Sequence, residues 1–397
     1  MMGFFFSDEV RRNPYPWYEQ VRSASPVLRD PQTDTWMLFD YDSVRRAMDD
    51  HETFSSRVTH PGGRAPEWLV FLDPPRHTAL RAVVGRAFTP RAIGALEPRI
   101  RELSRTLLAG AVERRELDLV AEYSGPLPTM VIAEMMGIPL ADRPRFMQWS
   151  QAIVNLSSAI MGGEEGARAG REYVAMRDEM TSYLTALIAE RRAVARDDLL
   201  TRLVQGEVDG DGLSDADILG FFQLLLSAAT ETTTNLIDNA IISFAEHPDQ
   251  LARLREAPHL MTPAIEEVVR YRSPGQIMFR QTTREVTLHG QTIPANRFVL
   301  MMVGSANRDA TRFAAPDRFD IRRDPNPHIA FGHGIHFCIG AALARLEAKV
   351  ALSDLLLGRL ELELMRDEPW EPRRALHVHG PASMHVRLRS GATAAAG

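Results

Sequence analysis

The sequence predicts a mainly α-helical chain with small β-sheet regions, and three observations carry that expectation. From Ser214 to about Ala245 runs one long helical pattern, opened by a serine hydroxyl that can cap it and stopped by His247-Pro248. At 1.5 Å per residue its roughly 30 residues would extend about 45 Å, enough to cross a whole domain. Between Ile100 and Arg202 helical patterns follow one another, separated by Gly125-Pro126, Gly137-Ile138-Pro139 and the glycine-rich stretch from Met161 to Gly170. Strand-like alternation is confined to short pieces such as Val286 to Leu288 and Phe298 to Met302.

Taken in order, Asn13-Pro14-Tyr15-Pro16-Trp17-Tyr18 opens a short amphipathic helix, and Trp36 to Phe39 reads as a strand running into a turn at Asp40. Arg57 to Val70, with Pro61, two glycines, Pro66 and Trp68, reads as an irregular loop. Pro74 and Pro75 then start a helix on which His77 and Arg81 fall at i and i+4, one face carrying two donors for an anion. By spacing alone such a pair is more often a solvated face. Met130, Met135, Met136 and Met147 read as core filling. Inside the long helix, Leu224 to Asn235 is apolar except for one acid, Glu231, beside a run of threonines. An acid is costly to bury and threonine lowers helix propensity, although threonine hydroxyls can simply bond back to the carbonyl four residues earlier. Ala264 to Arg272 is an amphipathic helix with Glu267 and Arg270 at i and i+3. Val286 to Leu288 and Phe298 to Met302 read as strands around a turn at Pro294-Ala295-Asn296, and Leu376 to Leu388 as a C-terminal hairpin. Residues 1–12 and the Gly391 to Gly397 tail read as flexible.

Bulk properties narrow the function. Length alone suggests two or three domains in 397 residues. Hydrophobic residues at 45% and charged ones at 25% suit a globular chain with a large core. A net charge of −6 offers no basic stripe for nucleic acid. Lys349 is the only lysine, so nearly every positive charge is arginine. The start, Met1-Met2-Gly3-Phe4-Phe5-Phe6, falls far short of a signal core or of the roughly 20 apolar residues of a spanning helix, so no membrane insertion is expected. A single cysteine forbids an intrachain disulfide and fits a cytoplasmic protein.

That cysteine, Cys338, lies in Phe331-Gly332-His333-Gly334-Ile335-His336-Phe337-Cys338-Ile339-Gly340. The glycines suggest a tight loop, and the run from Ile339 to Leu352 a helix whose N-terminus favours thiolate over thiol. Three roles fit a thiolate there. It can be a nucleophile with His333 or His336 as base, a zinc ligand beside the same histidines, or the axial ligand of a haem, which needs no other protein donor.

The ten residues match F-G-x-G-x-H-x-C-x-G, the haem-binding loop of the cytochrome P-450 family, at every fixed position, and the chain resembles a soluble bacterial-type member from about Asn13 to Arg389. The resemblance implies one large α-rich domain, residues 1–397, in the cytochrome P-450 fold around a buried haem b. It implies a monooxygenase that inserts one atom of dioxygen into a lipophilic small molecule, with electrons from NAD(P)H reaching it through a ferredoxin reductase and a ferredoxin. A peroxide-driven peroxygenase and a haem-binding sensor or carrier without turnover are the alternatives. Carried over residue by residue, Cys338 is the iron ligand, Phe331, Gly340 and Ala228 border the haem, and His77, Arg81, Arg280 and His336 balance its propionates. Ala228-Ala229-Thr230-Glu231-Thr232 resembles the A-G-x-E-T oxygen-activation segment, with Thr232 bonding dioxygen and Glu231 linking it to solvent; alanine at 229 replaces the common glycine. Glu267 and Arg270 match E-x-x-R, with Arg318 as third member of the ion-pair triad and His328 as its substitute. Ala229, Gln276, Ile277 and Met278 would border the substrate pocket, the Arg57 to Val70 loop would cover it, and a mobile lid would lie at Met161 to Gly170.

Overall fold

The computed structural model describes residues 7–60, 63–64, 68–155, 163–208, 211–358, 360–365, 370–373, 375 and 377–390. Its longest element is the central helix. Nine helices frame the site: α1 (Tyr15–Ala24), α2 (Arg76–Gly85), α3 (Glu97–Arg114), α4 (Pro126–Met135), α5 (Arg143–Asn155), α6 (Gly163–Ala193), α7 (Asp215–Glu246), α8 (Met261–Tyr271) and α9 (Ala341–Leu356). Helix α7 begins at a capping box in which the Ser214 hydroxyl accepts from the Asp217 N–H while the Asp217 carboxylate accepts from the Ser214 N–H. It packs against α4, α5, α8 and α9, and α9 in turn packs on α3. The seam is one apolar core in which Phe146, Phe222, Leu226, Ile237, Leu352 and Leu355 are buried. Burial on nearly every side explains why α7 reads as apolar all round rather than striped.

The largest sheet has five strands, β1 (Val27–Asp30), β2 (Thr35–Leu38), β3 (Phe54–Ser55), β4 (Ile277–Thr282) and β5 (Phe298–Met302), in the order β1-β2-β5-β4-β3. β5 is parallel to β2 and antiparallel to β4, with Val299 opposite Arg280.

Three local expectations are corrected. Gly163 to Gly170 is the first part of α6 rather than a loop, while Met161 and Gly162 lie outside the described residues. Val286–Leu288 pairs with Gln291–Ile293 around His289-Gly290, both at positive φ, and not with Phe298–Met302 around the turn that does stand at Ala295-Asn296. The C-terminal strands do not form a hairpin with each other. Pro381–Ser383 pairs with Glu371–Pro372, whereas His385–Ser390 lies between Leu360–Leu364 and Glu116–Asp118. At the start, Asp8–Arg12 is a short helix capped by Ser7, and residues 1–6 and 391–397 lie outside the described residues. Part of the Arg57 to Val70 loop lies outside them too.

Candidate active site

The cysteine loop is tied back on itself before α9 starts. The Cys338 N–H donates to the Phe331 carbonyl at 2.7 Å, and Gly332 and Gly334 take positive φ of 76° and 64°. At Gly332 a Cβ would stand 3.2 Å from the His336 carbonyl oxygen, and at Gly334 one would stand 3.1 Å from Asp49. Glycine is therefore required twice, by conformation and by space. The N–H groups of Gly340 and Ala341 act on the Cys338 sulfur, as expected at a helix start. The thiol nevertheless sits above its ordinary value, because burial outweighs those N–H groups and the charges of Arg81 and Arg345. Only a metal bound to the sulfur would reverse that balance outright. Cys338 keeps accessible surface.

The histidines of the loop turn elsewhere. His333 Nδ1 pairs with Asp49, and His336 Nε2 lies 2.9 Å from the Ser56 hydroxyl. Among the described residues no three His, Cys, Asp or Glu side chains gather in a cluster able to hold a metal ion, so the zinc arrangement of His333, His336 and Cys338 is not built.

A group of arginine and histidine nitrogens adjoins the loop. The His77 and His336 rings are 4.2 Å apart, and Arg81 on α2 donates to the Phe337 carbonyl. Both His77 ring nitrogens and Arg280 Nε are buried without a hydrogen-bond partner. Burial lowers His77 to about 4 and Arg280 to about 10, with the Arg81 charge adding to the first and Asp73 opposing the second. His336 is lowered by burial and then by Arg280, His77 and Arg81. Asp73 acts on both Arg280 and His77, and its carboxylate is itself held by the Ser55 hydroxyl and the Ser56 N–H. Buried donors that meet no hydrogen-bond partner fit an anionic ligand, and the two carboxylates of a haem have the right chemistry.

Along α7 the hydroxyls bond backwards. Thr232 Oγ1 donates to the Ala228 carbonyl at 2.6 Å, Thr234 Oγ1 to that of Thr230 at 2.8 Å, and Thr230 Oγ1 to that of Leu226. Ala228 is exposed between buried flanks, with Ala229 and Thr232 half-buried. Glu231 is 4% exposed, and burial pushes its carboxyl up to about 7 against the Arg373 charge. Sequence reasoning missed its neighbour, His377, whose Nε2 lies 3.8 Å from Glu231 Oε2.

Of the remaining residues, Glu267 and Arg270 form a fully buried pair at 2.8 Å. The third cation is Arg323, 3.1 Å from Glu267, and not Arg318. Arg318 points to solvent near Asp320 and contributes only its carbonyl, which accepts from Arg270 and Arg323. His328 pairs with Glu266, as does Arg345, whose guanidinium covers the Phe331 ring at 4.3 Å. Gln276 and Ile277 are closed in, Gln276 beside Gly304 and Ser273 and Ile277 in the cluster with Tyr15 and Phe39. Only Met278 of that trio keeps accessible surface.

The cytochrome P450 family model matches residues 18–381. Cytochrome P450 109 of Bacillus spizizenii is 38% identical over 388 residues, covering 96% of this chain and 93% of that protein. Vitamin D(3) 25-hydroxylase of Pseudonocardia autotrophica is 40% identical over 372 residues, 90% and 89% of the two chains. CYP109E1 from Bacillus megaterium in complex with testosterone superposes with a TM-score of 0.89 at 38% identity, covering 96% and 99%. With a cysteine loop, a group of buried donors suited to propionates and a likeness spanning nearly the whole of these relatives, the chain belongs to the cytochrome P450 family.

Proposed function

We propose that this monooxygenase hydroxylates or epoxidises a steroid-sized lipophilic molecule, drawing electrons from NAD(P)H through a ferredoxin reductase and a ferredoxin. Insertion of an oxygen atom from dioxygen, with electrons from an external partner and haem b as cofactor, comes with membership of the family. The substrate class is supported by the likeness to proteins described as a vitamin D(3) 25-hydroxylase and as binding testosterone and corticosterone.

The observation that carries the site assignment is the set of buried donors without a partner, both His77 ring nitrogens and Arg280 Nε, beside the His336 ring of the Cys338 loop. Cys338 would hold the iron, and His77, Arg81, Arg280 and His336 would hold the propionates. When bound, the haem supplies dioxygen activation, which a thiolate ligand promotes by favouring O–O cleavage. Phe331, with the Arg345 guanidinium over its ring, would limit the access of water to the sulfur. Glu231, close to half-protonated near pH 7, holds a proton one residue from Thr232, whose hydroxyl would pass it towards dioxygen.

The test is spectroscopic. Purified protein, reduced and treated with carbon monoxide, is expected to give the red-shifted band of a thiolate-ligated haem, and Cys338→Ala to lose it. A band that survives in Cys338→Ala sinks the assignment. Titration with testosterone should displace the resting spectrum, and product should form with the ferredoxin system in preference to peroxide alone.

A further inference from the structure

Glu231 sits on α7, yet an imidazole from the C-terminal segment approaches its carboxylate. His377 Nε2 is 3.8 Å from Glu231 Oε2, a gap closed by a small rotation of the carboxyl or by one bridging water. The His377 backbone is fixed, because its carbonyl accepts from the N–H groups of Gln276 at 2.8 Å and Ile277 at 3.4 Å, and Val378 bridges Gly275. The imidazole is thereby anchored to the start of β4, with the Phe279 ring 6.4 Å away. Its side chain keeps 30% of its surface accessible. Glu231 Oε1 is buried with no hydrogen-bond partner. The other charged groups around it are accounted for. Arg373 Nε is engaged by Asn235 Oδ1 at 2.9 Å, His379 Nε2 lies 3.1 Å from the Arg12 carbonyl, and Asp238 is nearly two turns further along α7.

We propose that His377 is a positioning residue for Glu231: its imidazole hydrogen-bonds the carboxyl, directly or through one water, and holds it turned towards Thr232. The proposal rests on the reading of Glu231 as the acid that holds the proton. The contact is a hydrogen bond rather than an ion pair, because burial drives the acid up to about 7 and the imidazole down to about 4, so the ring meets the carboxyl uncharged. A phenyl ring at 377 would fill the same place and leave the acid free to turn away. A glutamine would keep a donor and an acceptor within reach.

Two measurements on the haem-loaded protein test this. In protein with isotopically labelled histidine, the His377 ring-nitrogen resonances, assigned by their loss in His377→Gln, are expected to move in Glu231→Gln more than those of any other histidine. In turnover, Glu231→Gln should raise the hydrogen peroxide released per NAD(P)H by about tenfold. His377→Phe should follow it in direction, with His377→Gln staying close to the unmutated protein. Equal haem loading and an unchanged carbon monoxide band establish that each variant is folded. Unmoved His377 resonances in Glu231→Gln, or equal peroxide release by His377→Phe and His377→Gln, would overturn the proposal while leaving Glu231 in its role. If Glu231→Gln itself releases no more peroxide than the unmutated protein, the reading of Glu231 falls and the positioning role with it.

Discussion

Glu267 is held by more donors than one carboxylate commonly meets. Arg270 binds it through two nitrogens at 2.8 and 2.9 Å, Arg323 Nε reaches both oxygens, and the Asp320 N–H donates at 2.9 Å. Arg323 also ties the Ala314, Ala315 and Arg318 carbonyls to the cluster. Removing it leaves a buried carboxylate partly uncompensated and takes one donor from each of three carbonyls. Arg323→Ala should therefore cost about 3 kcal/mol in denaturant unfolding, whereas Arg318→Ala, whose guanidinium is 66% exposed, should stay within about 0.5 kcal/mol. Equal losses would refute the assignment. The same residues mark the limits of reading one sequence. Glu267 and Arg270 share a helix, so their spacing alone brings them together, and the cysteine loop is legible because its glycines, cysteine and following helix are contiguous. Which arginine of the 316–323 stretch turns inward depends on the path of an irregular loop, and the approach of His377 to Glu231 on a contact between distant segments. No local pattern encodes either.

At the scale of the element, α7 combines strong ends with a weak middle. Its N-terminus carries a full capping box, and its C-terminus stops where Pro248 opens the next helix, so both bounds are legible from local chemistry. The short strands are not, since each depends on a partner elsewhere; His385–Ser390 reads as a hairpin arm until Leu360–Leu364 and Glu116–Asp118 are placed beside it. In the middle of α7, Ala228 is exposed and Ala229 packs against the core. Both alanines support the helix against a run of threonines that favour it less. Ala228→Gly should lower stability by about 1 kcal/mol, the difference in helix propensity. Ala229→Gly should lose that amount plus the packing of one partly buried methyl, about 0.5 kcal/mol more. Thermal unfolding of the two variants side by side checks this, and an Ala229→Gly protein as stable as the parent would mean that the methyl strains the helix where it stands.

For the whole molecule, the response of stability to pH follows from which buried groups are forced to stay neutral. Burial pushes the carboxyls of Glu231 and Asp238 up to about 7 and that of Glu347 up to about 8, against the lowering pull of Arg373, of Ser124 and Arg373, and of Thr233 respectively. Each keeps its proton in the folded chain at a pH where the unfolded chain has lost it. Their contribution is fully present below the ordinary carboxylate range and is lost as pH rises through the raised values. Four histidines work in the opposite sense. Burial lowers His77 and His377 to about 4 and His379 to about 3, and lowers His336 as well. The unfolded chain protonates these rings first, so stability falls as pH drops below the ordinary histidine value of about 6.5. A haem propionate beside His77 and His336 weakens this acid limb but leaves the alkaline one untouched. Stability should therefore peak near pH 6.5 and decline from there to about pH 8, where only the three carboxyls are still changing. Urea unfolding midpoints of the haem-loaded protein across that interval measure the decline. Glu347→Gln, which replaces a protonated acid with a neutral side chain of the same shape, should flatten it, and an alkaline limb as steep in that variant as in the parent would show that Glu347 is already ionised in the folded protein.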